Sequence, residues 1–184
     1  MILSNEDITR EIRSGNLVIK PFDEKLVQAG SVDLRLGNRF KFWKSELHDG
    51  TPINPRETDM NQYFKEKVFD DYFIIKSGQV AKAITEEWIE LPNNIQAYID
   101  GKSSWGRLDL IVHQTAGVID AGFKGFVVLE IENKSPINFK IKVGESICQI
   151  KFIYLKTPTT KPYKGRYQYQ KEILTSALKK NKNI

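Results

Sequence analysis

Residues 31 to 43 read SVDLRLGNRFKFW and carry the clearest β-strand pattern of the chain. Val32, Leu34 and Leu36 alternate there with polar residues. Because successive side chains of a strand point to opposite faces, this alternation is typical of a strand that buries one face. The same period of two recurs at residues 137 to 143, INFKIKV. Both segments therefore predict β-structure and not helix.

Further short segments have the same character and are bounded by turns that contain Gly, Pro or Asn. They read YFIIK, QVAKAI, IQAYI, LDLIVH and ICQIKFIY. Many short strands separated by such turns indicate an all-β sandwich or barrel. The chain has 184 residues and shows no repeat and no linker, so we expect one domain that covers residues 1 to 184.

Outside the strands, the sequence predicts two helices and one irregular segment. Ser4 with Asp7 three residues later resembles a capping box, so a short N-terminal helix is expected over about residues 5 to 13. A second helix is predicted near residues 172 to 180. The polar segment from residue 45 to about residue 71 is expected to have little regular structure.

The composition is that of an ordinary globular protein, with 40% hydrophobic residues, 28% charged residues and a net charge of +5. No run of 18 or more apolar residues is present, so no membrane span is expected. The start, MILSNEDITREI, has acids where a secretion signal needs a basic end and an apolar core. We therefore expect a cytoplasmic protein with a basic C-terminal tail over residues 171 to 184.

Residues that bind transition metals are scarce. Cys148 is the single cysteine, which excludes an internal disulfide, and its apolar neighbours indicate a small buried residue. His48 and His113 are the two histidines, and the H-x-E and P-C-x-x-C pattern of zinc-dependent nucleobase deaminases is missing. No zinc is therefore expected.

A polar segment at residues 101 to 110, GKSSWGRLDL, combines Lys102, Ser103, Ser104 and Arg107 with two glycines. Cations, hydroxyls and backbone N–H groups suit phosphate oxygens, and glycines let the backbone approach a ligand closely. An ordinary turn has a similar composition, so both interpretations stay open. The G-x-x-x-x-G-K-[ST] triphosphate loop is absent.

Four acids fall within or beside predicted strands. The segment GFVVLEIEN, residues 125 to 133, reads as a buried strand, yet it carries Glu130 and Glu132 on one face. Each glutamate is either a surface charge at a strand end or a half-buried group that handles protons. Asp33 is either a solvent-facing acid or part of a site. Asp120 precedes Glu130 by ten residues across a glycine-containing turn.

The C-terminal segment KPYKGRYQYQK, residues 161 to 171, interleaves cations with tyrosines. Such a segment can bind single-stranded nucleic acid by charge and stacking. It can equally close over one base and its phosphates, or remain a solvated tail.

Five segments taken in order resemble the signature segments of the dCTP deaminase family, the deaminating branch of the trimeric dUTPase superfamily. They are AGSVDLRLGNRF, GKSSWGRLDL, HQTAGVIDAGFKGFVVLEIEN, GESICQIKF and KPYKGRYQYQ. The resemblance runs from the N-terminal MILSNEDI to about Gln170 and is weakest between about residues 45 and 75. It implies a distorted jelly-roll β-barrel of the dUTPase-like type, assembled as a homotrimer with active sites between subunits.

The resemblance also implies roles for individual residues. Glu130, in the V-L-E segment, would carry protons without zinc, and Glu132 would be a bystander. Ser103 would help to position the water, and Arg107 would pair with Glu130. The other expected substrate contacts are Lys102, Ser104, Trp105, Gly106, Asp120, Val128, Leu129, Gln149, Tyr163, Arg166 and Gln170.

A branch point within the family lies at Gly117 and Val118, where members that only deaminate often carry a His-Arg pair. The T-A-G-x-I-D-x-G-F form resembles bifunctional members. The implied reaction converts dCTP and water to dUTP and ammonia. In the bifunctional form it continues to dUMP and diphosphate, with Mg²⁺ bound mostly to the triphosphate.

Two alternatives to this function remain. One is a dUTPase that does not deaminate. The other is a non-catalytic nucleic-acid-binding barrel, which should have aromatic residues spread over several strands and a larger positive charge. The polar groups instead concentrate at positions that match one nucleotide site, so no nucleic-acid partner is expected.

Overall fold

The computed structural model of the protein describes residues 1–44, 46, 50–176 and 178. Its α-helices in these residues are α1 (Asn5–Arg13) and the single turn α2 (Ser103–Gly106). Its strands are β1 (Val18–Lys20), β2 (Val32–Trp43), β3 (Phe64–Val68), β4 (Tyr72–Ile75), β5 (Val80–Glu90), β6 (Ile95–Gly101), β7 (Leu110–Ile111), β8 (Val118–Ile119), β9 (Lys124–Asn133), β10 (Phe139–Lys142) and β11 (Ser146–Tyr154). Among the described helices, none is long and apolar enough to cross a membrane.

Nine strands form one curled antiparallel sheet in the order β7-β9-β5-β2-β11-β6-β8, with β1 beside β5 and β3 beside β2. Strands β4 and β10 form a separate pair. The core lies inside this curled sheet and contains Leu34, Phe40, Phe73 and Phe152. The predicted all-β barrel architecture is therefore confirmed.

The N-terminal helix is confirmed at the predicted residues. The hydroxyl of Ser4 accepts a hydrogen bond from the Asp7 backbone, and the Asp7 carboxylate accepts one from the Ser4 backbone. This reciprocal capping satisfies two N–H groups that the helix itself leaves without partners. Ile8 faces the core and is fully buried.

The predicted second helix is wrong over residues 172–176 and 178, which have no helical structure. The backbone carbonyls of Lys171 and Ile173 accept hydrogen bonds from the side chains of Arg39 and Lys41, which hold this segment against β2 in a non-helical conformation. Residues 177, 179 and 180 of the prediction lie outside the described residues.

The segment from residue 45 to about residue 71 contains more regular structure than predicted. Its end forms β3, which pairs with β2 from Arg39 opposite Val68 to Trp43 opposite Phe64. The rings of Trp43 and Phe64 lie 4.2 Å apart, and Phe64 is buried. Contact between these two aromatic rings explains why a polar segment returns to the sheet.

Strand β5 is interrupted opposite β9 between Ile84 and Trp88. Inside the bulge, the Thr85 hydroxyl donates a hydrogen bond to the Glu87 carbonyl at 2.9 Å and accepts one from the Val127 N–H at 3.0 Å. The Glu87 side chain is 1% exposed. A bulge turns a side chain away from the regular alternation, and here it directs a carboxylate inward.

Candidate active site

Strand β9 carries the two carboxylates whose roles the sequence leaves open. Its residues alternate between buried and half-buried, with Leu129 and Ile131 in the core and Glu130 and Glu132 on the other face, as predicted. Val128 shares the face of Glu130. The Leu129 side chain is fully buried in the core, and the nucleotide contact expected of this residue stays a prediction.

The two glutamates differ in what holds them. Oε2 of Glu130 accepts a hydrogen bond from the backbone N–H of Gln114 at 3.3 Å. Oε2 of Glu132 accepts one from the side-chain amide of Gln114 at 3.5 Å and lies 4.0 Å from the Lys134 ammonium. A main-chain donor is fixed by the fold, whereas both partners of Glu132 are side chains that keep rotamer freedom. Glu130 is therefore the better positioned carboxylate.

Gln114 is absent from the site residues predicted from the sequence. It contributes to Glu130 through its main chain, and a main-chain N–H can be supplied by almost any residue type. The one sequence signal for it is its place in the segment HQTAG, directly after a predicted strand and ahead of the glycine at 117.

The loop that carries Gln114 is fixed by Gly117. The Ile99 N–H donates a hydrogen bond to the Gly117 carbonyl at 2.8 Å. A Cβ atom on residue 117 would lie 2.9 Å from the Ile99 carbonyl oxygen and 3.1 Å from the His113 ring. Any larger residue at this position would displace its neighbours, whereas the adjacent Val118 is 52% exposed.

A second group of predicted residues meets where β2, β6 and β11 lie side by side. Gln149 is opposite Asp33 on β2 and opposite Asp100 on β6. Its side chain accepts a hydrogen bond from the Ser31 hydroxyl at 3.0 Å and donates one to the Gly101 carbonyl at 2.9 Å. The Lys102 ammonium pairs with the Asp33 carboxylate. Asp33 is therefore a buried acid with a cationic partner and not a solvent-facing one.

The turn α2 presents its polar residues to solvent. Ser103, Ser104, Gly106 and Arg107 are exposed, whereas Trp105 is half-buried. The Trp105 indole N–H donates a hydrogen bond to the Ser146 carbonyl at 3.1 Å. Trp105 thus attaches the turn to β11 and leaves the hydroxyls and the guanidinium available to a ligand.

Arg107 and Glu130 do not meet within one chain. Ile111 is opposite Glu132, and the Lys134 N–H donates to the Asp109 carbonyl at 3.0 Å. Lys134 lies four residues beyond Glu130, which is about 13 Å along an extended strand. Arg107 lies two residues before Asp109, and among the described residues no ion pair joins its guanidinium to the Glu130 carboxylate.

The turn that begins at Asp120 contacts the C-terminal segment. The exposed Asp120 carboxylate accepts a hydrogen bond from the Gln96 amide at 3.3 Å. The Tyr163 N–H donates to the Ala121 carbonyl at 2.9 Å, and the Tyr163 ring packs against Phe123. Burial raises the pKa of the Tyr163 hydroxyl, so this group stays a neutral hydrogen-bonding partner near pH 7. Asp120 and Tyr163 are thus brought to the same end of the sheet.

The C-terminal segment then runs beside the start of β9. The Gln170 side-chain amide donates to the Phe126 carbonyl at 2.8 Å, and the Phe126 N–H donates to the Gln170 carbonyl at 3.1 Å. Gln170 is buried, whereas Arg166 is exposed. Tyr169 has a left-handed backbone with a φ of +61°, a conformation that residues other than Gly, Asn and Asp rarely adopt.

The described residues provide few side chains that could bind a metal ion. Within the described residues, no group of three or more His, Cys, Asp or Glu side chains comes together. Asp33 is already paired with Lys102. Cys148 is fully buried as predicted, and burial raises the pKa of its thiol.

Comparison with known proteins gives consistent matches. A family model described as dCTP deaminase-like matches residues 2–155. A "dCTP deaminase, dUMP-forming" of a Sulfurihydrogenibium species is 39% identical over 178 residues, which are 97% of each chain. One of Persephonella marina with the same name is 38% identical over 179 residues, again 97% of each chain.

Among solved structures, 2'-deoxycytidine 5'-triphosphate deaminase from Agrobacterium tumefaciens matches with a TM-score of 0.65 and 26% identity. The match covers 82% of this chain and 47% of that one, so this chain spans about half the length of that structure's chain. The family model covers well over half of the present sequence, and the two bacterial relatives cover nearly all of it. The chain therefore belongs to the dCTP deaminase-like family.

Proposed function

We propose that the protein is a dUMP-forming dCTP deaminase, which converts dCTP and water to dUTP and ammonia and continues to dUMP and diphosphate. The observation that carries the proposal is the half-buried Glu130, held by the Gln114 N–H on a strand whose neighbouring segments match this family. Relatives at 38–39% identity bear the name of this activity. We also propose that the enzyme works in the cytoplasm, where deoxynucleotides are made and used.

Glu130 would act as the proton carrier of the deamination. Its carboxylate takes one proton from the water that attacks C4 of cytosine and passes it to the ring nitrogen. It then takes the second proton from the hydroxyl now on C4 and passes it to the amine, which leaves as ammonia while the C4 carbonyl forms. Ser103 would orient the water, and Arg107 would hold Glu130 by an ion pair. Both residues are exposed, Ser103 in α2 and Arg107 directly after it, which supports contacts outside their own chain.

The second step is supported by the surroundings of Gly117. Gly117 has no side chain and Val118 has an apolar one, so this branch point presents no bulky cation to the proposed phosphate site. Lys102, Ser104, Arg166 and Gln149 would contact the triphosphate. Mg²⁺ would be brought mainly by the phosphate oxygens, since the described acidic residues form no ligand group of their own.

We further propose a homotrimer in which each active site is shared by two copies. The separation of Arg107 from Glu130 within the chain supports this arrangement, because their pairing then requires a neighbour's Arg107. Asp33, Lys102 and Gln149 lie on the α2 side of such a shared site, while Asp120 and Glu130 lie on the β9 side.

The shared site can be tested by mixing two inactive variants. Arg107→Ala and Glu130→Gln should each be inactive alone, and unfolding and refolding them together at equal amounts should restore activity. In a cyclic trimer about one quarter of the sites receive both intact residues. No recovery, in mixtures shown by native mass spectrometry to contain mixed trimers, would contradict a site shared through these two residues.

The proposed reaction can be tested by product analysis. The protein is incubated with dCTP or dUTP and Mg²⁺, and dUTP, dUMP and diphosphate are separated by chromatography. Direct formation of dUMP from dCTP is expected. Accumulation of dUTP without dUMP would limit the function to deamination. Formation of diphosphate from dUTP, with no conversion of dCTP, would identify a dUTPase. No conversion of either nucleotide would refute both the deaminase and the dUTPase.

A further inference from the structure

The C-terminal segment continues past its last proposed nucleotide contact, and this continuation is held firmly. We define the strap as residues 168–176 and the dock as residues 39–41 of β2 together with residues 60–66. Ile173 and Thr175 are each 3% exposed. Burial of these two side chains indicates a specific contact and not a solvated segment.

The contacts between strap and dock are mostly polar and directional. The Arg39 guanidinium donates to the Lys171 carbonyl at 3.1 Å, and the Lys41 ammonium donates to the Ile173 carbonyl at 2.5 Å. The Thr175 hydroxyl donates to the Asn61 side-chain oxygen at 2.9 Å. Because these bonds alternate along the strap, they fix its register as well as its position.

One part of the dock, residues 60–66, comes from a segment that has no other role in the proposed function. Lys41 is 11% exposed and pairs with Glu66 of β3 at 2.8 Å. Asn61 lies in the turn that leads into β3, where its N–H donates to the Asp59 carboxylate at 3.0 Å. The pairing of β3 with β2 therefore orients the two groups that hold the strap.

The start of the strap lies against β9, directly upstream of the proposed catalytic carboxylate. The Lys124 N–H donates to the Gln168 side chain at 2.8 Å, and Gln170 bonds both backbone groups of Phe126. A shift of the strap by one residue would break these bonds and move Gln170 and Arg166 away from the site. The dock lies beyond Gln170 and prevents such a shift.

We propose that the dock is a positioning device for nucleotide binding, in which Lys41, Asn61 and Thr175 set the register of the strap. The strap holds Gln170 against β9 and thereby directs Arg166, which directly precedes the strap, toward the triphosphate. The segment at residues 60–68 thereby acquires a role. This inference rests on the proposed function for its ligand, whereas the attachment of the strap can be measured without any nucleotide.

The attachment is tested with Thr175→Val, which keeps the shape and removes the donor, and with Thr175→Ser as the matched control that keeps it. Trypsin cleavage after Lys171 is followed in the nucleotide-free protein. We expect cleavage of Thr175→Val to be about tenfold faster than that of wild type. Loss of one hydrogen bond can raise the population of the detached strap by this factor, and cleavage follows that population. Thr175→Ser should be cleaved like wild type, and a melting temperature common to all three excludes general unfolding. Equal cleavage of all three would overturn the proposal.

The positioning role is tested by steady-state kinetics with dCTP. Thr175→Val should raise KM about tenfold and leave kcat within about twofold, because contacts to the triphosphate are lost equally in the ground and transition states. Thr175→Ser should restore KM. Faster cleavage with an unchanged KM would overturn the positioning role. If wild type converts no nucleotide, the proposed function fails, and the cleavage result alone then decides whether the strap is docked.

Discussion

Replacing Glu130 with Gln is expected to lower the deamination rate by about a thousandfold, whereas Glu132→Gln should change it by less than about threefold. A carboxamide has nearly the shape of a carboxylate and can still accept the Gln114 N–H, so the loop should stay in place. It cannot take a proton from water. The loss therefore falls on kcat and not on folding.

Glu132→Gln is a matched control because it makes the same chemical change two residues away on the same face of β9. Ammonia release from dCTP is measured for both variants at equal concentration, and dCTP binding is measured by calorimetry. Glu130→Gln should bind dCTP within about threefold of wild type, because its hydrogen-bonding shape is kept. Equal loss of rate in both variants would refute the assignment of Glu130 as the proton carrier.

The local pattern of the sequence was sufficient for the fold class. In the segments around Leu34, Leu129 and Ile141, side chains alternate over short distances, and that alternation is a property of each strand alone. The pairing of β3 with β2 was not predictable in this way. It depends on contact between Trp43 and Phe64, which are 21 residues apart in the sequence.

In the candidate site, too, local sequence and long-range geometry differ in how far they could be predicted. Glu130, Lys102 and Arg107 were selected because their residue types and spacing match a family, and their roles stay predictions. Their mutual geometry could not be predicted, since the separation of Arg107 from Glu130 depends on which residues of β7 lie opposite β9. Register between strands is a long-range property that no single segment encodes.

The pair Glu86 and Glu87 carries a sequence signal for an irregular strand. Two adjacent residues of a regular strand face opposite sides, so two adjacent glutamates in β5 imply either an inward-facing carboxylate or a bulge. The structure has both. Alternation alone places Arg35 on the polar face of β2, whereas the structure makes it the partner of Glu87.

Arg35 and Glu87 form the ion pair on which we expect stability to depend most. The Arg35 guanidinium donates a hydrogen bond to Glu87 Oε1 at 2.7 Å, and the backbone N–H of Arg35 donates one to Glu87 Oε2 at 2.9 Å. Burial raises the pKa of Glu87, and Arg35 opposes this shift by its hydrogen bonds and charge. The Arg35 side chain is 24% exposed, so water contacts the arginine of this pair, whereas the Glu87 carboxylate is buried.

Arg35→Met should lower the free energy of unfolding by about 3 kcal/mol at neutral pH, because it leaves a buried carboxylate without its counter-charge. The pKa of Glu87 should rise further in this variant. A folded-state pKa above the unfolded value means that the folded protein binds more protons, so stability falls as the pH rises through that window. The deficit should therefore be largest near pH 7.5 and should shrink toward pH 5.

The double variant Arg35→Met/Glu87→Gln separates loss of charge from loss of packing. The carboxamide introduced by Glu87→Gln keeps an oxygen that accepts the backbone N–H of residue 35 but carries no charge. The double variant should therefore regain about 2 kcal/mol relative to Arg35→Met alone. Urea unfolding at pH 5 and pH 7.5, at one protein concentration, measures all four members of the cycle. A deficit of Arg35→Met that is the same at both pH values, or a double variant no more stable than Arg35→Met, would show that Arg35 stabilises the fold by packing and not by neutralising Glu87.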